Sequence, residues 1–146
     1  MPDAIDLLIS DHDVVRELFE EFRAAKEGDR VELRPLQARI FEELETHTRI
    51  EEEIFYPAVR DLDVDALRES VDESLQEHHV VKVLMREIAD ITGEDVFVAK
   101  MTVLIENVEH HADEEESEMF PQVRSHMGDE ALEELGRTLA DAKSHA

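Results

Sequence analysis

Cysteine is absent from this 146-residue chain, which excludes disulfides, thiolate metal sites and cysteine nucleophiles. No apolar run approaches the roughly 18 residues that a membrane helix needs. No basic start leads into an apolar stretch of the signal-peptide kind either, so the expected location is cytoplasmic, with no membrane partner. Glycine and proline number only four each. That scarcity argues for helices rather than hairpins. Positive charge is also sparse, with 15 Lys and Arg against 39 Asp and Glu, giving a net charge of -24. Such a surface repels a phosphate backbone, so no nucleic-acid partner is expected. The low lysine content beside this acidity would suit a salt-tolerant host.

The chain has 42% hydrophobic and 37% charged residues, a balance that suits a folded globular protein. Its length predicts one domain over residues 1–146 with a core of its own. Apolar residues at intervals of three and four then define the elements. Ile5, Leu8, His12, Val15, Phe19 and Phe22 predict a first helix over about 4–26, capped by Asp3 and closed by Gly28. Leu33, Ile40, Leu44, His47, Glu51 and Ile54 predict a second, with Pro35 in its first turn and Pro57 ending or kinking it. Leu67, Val71, Ser74, His78, Val81, Met85 and Ile88 mark a third, stopping before Thr92 and Gly93. A fourth starts near Asp95, carries Phe97, Met101, Leu104, Val108, His111, Glu115 and Met119, and ends at Gly128. The fold class read from this pattern is all-α, an up-down-up-down four-helix bundle over about 4–127. A short extra C-terminal helix over about 130–143, capped by Asp129 and using Leu132, Leu135 and Leu139, is expected on the outside of the bundle.

Two segments echo each other: HTRIEEEIFYP at 47–57 and HADEEESEMFP at 111–121. Each starts at a histidine, places a glutamate four residues on and ends at a proline. A shorter echo precedes them, HDVVRELFEEF from His12 and HHVVKVLMREI from His78. His12, His47, Glu51, His78, His111 and Glu115 all fall on the apolar seams, so they point inward. Two buried carboxylates cost several kcal/mol unless a positive charge compensates them. Neutral histidines cannot supply that charge, whereas a pair of cations can, and this donor set suits iron, manganese or zinc. The six residues are therefore the expected metal ligands, with no catalytic residue beyond them.

Four residues advance a helix by about 6 Å and overshoot one full turn by about 40°, so histidine and glutamate share a face. One metal per histidine pair, His12 with His47 and His78 with His111 or an exchanged pairing, lets each glutamate bridge. Four histidines, two bridging glutamates and one bridging oxo or hydroxo leave about two of the twelve positions of two octahedral metals open. The repeat alignment favours His78 and His111 over their neighbours His79 and His110, which are expected at the rim or surface. His126 and His145 are expected in solvent. Phe55 and Met119 are read as core residues, with an apolar wall over the site as the alternative, and Tyr56, the only tyrosine, as a packing residue, with a hydrogen-bond donor or radical sink near the metals as the alternative. No histidine has a glutamate three residues before it, which excludes a ferritin-like Glu-x-x-His site.

With Asp11-His12, His47-x3-Glu51-Glu52 before Pro57, Glu77-His78 and His111-x3-Glu115-Glu116 before Pro121, nearly the whole chain resembles the hemerythrin-like family of HHE cation-binding domains. The resemblance implies two iron ions held by histidines and bridging carboxylates inside a four-helix bundle. The chain departs from the family's oxygen carriers in two places. They are similar in using a His-x-x-x-His pair on the third helix, where this chain has Ser74, His78 and Lys82. Their last carboxylate is an aspartate five residues after its histidine, where this chain has Glu116. The expected function is thus a non-heme di-iron protein that reacts with or senses O2, hydrogen peroxide or NO in oxidative-stress defence, including a catalase-like oxidoreductase. The competing reading is a non-catalytic O2 or iron carrier or sensor.

Overall fold

The computed structural model describes residues 2–145. Its first helix, α1 (Ala4–Glu27), opens on a reciprocal cap. The Asp3 carboxylate accepts from the Asp6 N–H at 2.9 Å, and the Asp6 carboxylate accepts from the Asp3 N–H at 3.1 Å. Gly28 closes α1, and a 3-10 turn (Arg30–Glu32) leads into α2 (Leu33–Ile50), where Pro35 lies in the first turn and its missing N–H costs nothing.

Pro57 does not end the second helix. A π-helical turn (Glu51–Phe55) carries it into α3 (Tyr56–Arg60), and the Tyr56 N–H donates to the Glu51 carbonyl five residues back. The fourth helix repeats this design: α5 (Glu94–Glu114) passes through a π turn (Glu115–Met119) into α6 (Phe120–His126), with the Phe120 N–H on the Glu115 carbonyl. Each proline follows the residue that closes the wide turn. Its ring would otherwise crowd the carbonyl four residues back, and the widened turn relieves that clash. The extra residue per turn also brings two successive side chains inward, Phe55 with Tyr56 and Met119 with Phe120.

Between these two proline-bearing rods lies α4 (Asp65–Asp90), and α7 (Asp129–Ser144) follows α6. Asp129 is the first residue of α7 and not its cap, since Gly128 holds the cap position and no side chain bonds there. Leu132 and Leu139 of α7 are buried with Ala4, Ile5 and Leu8 of α1, so this helix is part of the core.

Two apolar cores fix the topology. One joins the start of α1 (Ile5, Leu8) to Ile50 and Phe55, to Leu67 and Val71 at the start of α4, and to Phe120 and Val123. The other joins the end of α1 (Phe19, Phe22) to Leu36 and Ile40, to Met85 and Ile88, and to Phe97 and Met101. Successive rods therefore run in opposite directions, an all-helical bundle with an extra C-terminal helix. No strand occurs among the described residues, and none of their helices is long and apolar enough to cross a membrane.

Candidate metal centre

Between the two apolar cores lies a polar layer. His12, His47, Glu51, His78, His111 and Glu115, the six residues singled out from the sequence, are all buried there, together with Asp11, Thr48 and Ser74. His79 and His110 are exposed, as are His126 and His145. One donor atom from each of His12, His47, Glu51 and Glu115 lies within 4.8 Å of the others, and Glu51, His78 and His111 form a second such group. Each glutamate spans the two histidine pairs. Glu51 Oε1 is 3.2 Å from both His47 Nε2 and His78 Nε2, while Glu115 lies 3.1 Å from His12 Nε2 and 3.5 Å from His111 Nε2.

The outer nitrogen of every ring meets a carboxylate. His12 Nδ1 is 2.7 Å from Glu116, His47 Nδ1 2.9 Å from Asp11, His78 Nδ1 2.7 Å from Glu52 and His111 Nδ1 2.6 Å from Glu77. An ionised carboxylate only accepts, so each Nδ1 carries the hydrogen and each Nε2 of a neutral ring turns a lone pair inward. Three of the four carboxylates are themselves held by a cation: Glu116 by Arg16 at 2.8 Å, Glu52 by Lys82 at 2.8 Å and Asp11 by Lys143 of α7.

The buried carboxylates favour the protonated form of His47 and His111. Burial works against a charged His47, but Glu51, Asp11 and Glu115 outweigh it and push its pKa up to about 10. Burial likewise opposes charge on His111, and Glu115, Glu77 and Glu51 carry it to about 11. Glu115, for which burial alone would favour the neutral acid, is held well below the usual carboxylate range by His111 and His12. The hydrogen bond from His78, aided by Lys82, lowers Glu52 to about 2.

The inward atoms also test whether these residues fit a cation. With the rings neutral and the hydrogen on Nδ1, the lone pairs of His12 Nε2 and His47 Nε2 face carboxylate oxygens, and with Glu51 Oε2 and Glu115 Oε1 they are buried with no hydrogen-bond partner. Leaving such groups bare costs about 1–3 kcal/mol each. These four atoms all face the same layer, and they are nitrogen and oxygen donors of the kind that first-row divalent metals take. The donor set fits a pair of cations.

Of the two readings of Tyr56, the geometry matches the hydrogen-bond donor beside the site. Its hydroxyl donates to Glu115 at 2.7 Å and lies 3.2 Å from Glu51, 3.3 Å from His78 Nε2 and 3.4 Å from His111 Nε2. Burial, followed by the charges of Glu115 and Glu51, raises the phenol well above its ordinary pKa. The corresponding residue in the other half is Phe120, which stacks on His12 with ring centroids 6.0 Å apart. The two histidine pairs are therefore unlike. The sequence signal was available in the aligned FYP and MFP ends, but the π turns that swing these rings inward were not anticipated.

The family model described as Hemerythrin HHE cation binding domain matches residues 3–123. Among curated proteins the chain is similar to a DNA nickase of Nostoc sp. (strain PCC 7120), 26% identical over 140 residues. The match covers 95% of this chain and 38% of the relative, so the chain spans well under half of that protein's length. No solved structure matches at a comparable level.

Proposed function

Because the chain belongs to the hemerythrin HHE cation-binding family, we propose that its buried layer holds two iron ions and that it reacts with O2, hydrogen peroxide or NO in oxidative-stress defence. The observation that carries this reading is the set of four partnerless inward donors at His12, His47, Glu51 and Glu115. His78, His111 and the Tyr56 hydroxyl complete the set on the other side. Bound iron would supply a ferrous-ferric couple and a place for a small oxidant. Asp11, Glu52, Glu77 and Glu116 orient the rings, and in the metal-free chain the Tyr56 hydroxyl donates to Glu115. Phe55, Met119 and Phe120 keep bulk water from one side. On the other side an apolar cavity lined by Val15, Phe19, Leu44, Val81 and Val108 opens onto the four histidine rings. Its lining suits a small uncharged molecule.

The nickase activity named for the relative is not carried over to this chain. A net charge of -24 opposes approach to a phosphate backbone, and the match leaves most of that protein uncovered. A sensing role draws support from one contact, the bond of Lys143 on α7 to Asp11, which in turn holds His47. A change of charge at His47 would then be felt at α7. Protein refolded with ferrous iron should bind about two irons per chain by the two-metal reading and consume peroxide. Glu51→Ala and Glu115→Ala should lose both properties. Unchanged iron content and turnover in both variants would overturn the proposal.

A further inference from the structure

The fourth ring carboxylate breaks a pattern. Arg16, Lys82 and Lys143 neutralise three of the carboxylates that hold the histidines, but no lysine or arginine pairs with Glu77 among the described residues. Glu77 faces His110 and Glu114 instead, and one donor atom from each of the three lies within 4.8 Å of the others. His110 and Glu114 repeat, one residue earlier and on the outer face of α5, the His-x-x-x-Glu spacing of His111 and Glu115. Their Nε2 and Oε1 atoms are 3.2 Å apart. The other half has no such outer copy, since Thr46 and Ile50 precede His47 and Glu51.

A cleft beside this group leads inward. Glu73, Glu114 and Glu118 stand at its margin and Ser74, His111 and Glu115 at its floor. Glu115 is 2% exposed; its Oε2 lies on the His111 side of the cleft and its Oε1 reaches on to His12 Nε2 at 3.1 Å. The cleft thus runs from Glu77 and Glu114 of the outer group to His111 and Glu115 of the buried layer.

From this juxtaposition we propose a third, solvent-facing site for a divalent transition-metal cation at Glu77, His110 and Glu114, which takes up the metal and passes it along the cleft to the buried centre. A cation there would do for Glu77 what Arg16, Lys82 and Lys143 do for its three counterparts. Imidazole with two carboxylates suits a first-row divalent ion, and the acidic margin concentrates cations from solution. The inference rests on the buried pair proposed above.

Cobalt(II) added to the metal-free chain, followed by calorimetry and visible absorption, tests it. The expected titration shows two tight equivalents and one weaker one. His110→Ala and Glu114→Gln, both away from the buried layer, should keep the two tight equivalents and weaken the third by about tenfold or more. In stopped-flow, both should fill the tight sites about tenfold more slowly to the same final absorbance. Two tight equivalents with no third in the parent chain would overturn the outer site alone. So would a third equivalent that persists in both variants, or an unchanged filling rate. Fewer than two tight equivalents in the parent chain would overturn the buried centre, and this proposal with it.

Discussion

His47 and His111 show how one ring can serve either a proton or a metal. Their raised pKa values, about 10 and about 11, come from the same glutamates that would bridge the cations. In the metal-free chain this protonation stabilises the fold. The contribution is full below the unfolded value of about 6.5 and is lost as pH rises through about 10 to 11. The urea midpoint of metal-free protein should therefore fall between pH 7 and pH 10.5. Metal must displace both protons, so calorimetry at pH 7 in buffers of different ionisation enthalpy should report about two protons released on loading. No buffer dependence would contradict the assignment of these two rings. Tyr56 gives a second residue-scale test. If its phenol joins the His78 and His111 side, iron-loaded protein shows a visible phenolate-to-iron band, and Tyr56→Phe removes it while keeping the iron. A band that survives in Tyr56→Phe would exclude this role.

At the scale of elements, the internal repeat in the sequence becomes a repeat in the backbone. Both His-x-x-x-Glu motifs run into a π turn that begins at the glutamate and closes just before a proline. The widened turn places two successive side chains, Phe55 with Tyr56 and Met119 with Phe120, on one buried face, which a plain α-helix would not do. The docking of α7 depends on a different detail. A Cβ built on Gly136 would lie 2.8 Å from the Asp3 carbonyl carbon and 2.9 Å from the Ala4 nitrogen, both backbone atoms at the capped start of α1. Gly136→Ala should therefore push α7 from α1 and cost about 1–3 kcal/mol, the range seen for overpacking. Denaturant unfolding would measure it. A variant as stable as the parent would show that α7 is held more loosely than this contact implies. Displacing α7 should also loosen the Lys143 bond to Asp11, so weaker metal binding is expected together with the lost stability.

Across the whole molecule, two apolar cores sandwich a layer of ionisable groups, and the chain carries a formal net charge of -24. Both features oppose compaction when no metal compensates them. A ligand at a thousand times its dissociation constant adds about 4 kcal/mol per site. For a chain of this size that raises the melting temperature by about 10 °C or more. A chelator should therefore lower the melting temperature by a comparable amount, and sodium chloride should recover part of the loss by screening the surface. Identical melting curves with and without chelator would argue against a metal held by the folded state.

The amphipathic seams, the four-rod topology and the inward direction of six polar residues follow from the order of amino acids alone. The 3.6-residue period places side chains three and four apart on one face, and two carboxylates on such a face demand positive charge. What lay beyond the sequence depends on contacts between distant segments. Asp11 against His47, Glu77 against His111 and Lys143 against Asp11 join helices that local periodicity cannot order in space. Tyr56 was visible as the only tyrosine, but its place among the candidate ligands depends on a one-residue widening of the helix at Glu51. A period-based reading assumes a regular helix through that point, and the tertiary packing of the two proline-bearing turns decided otherwise.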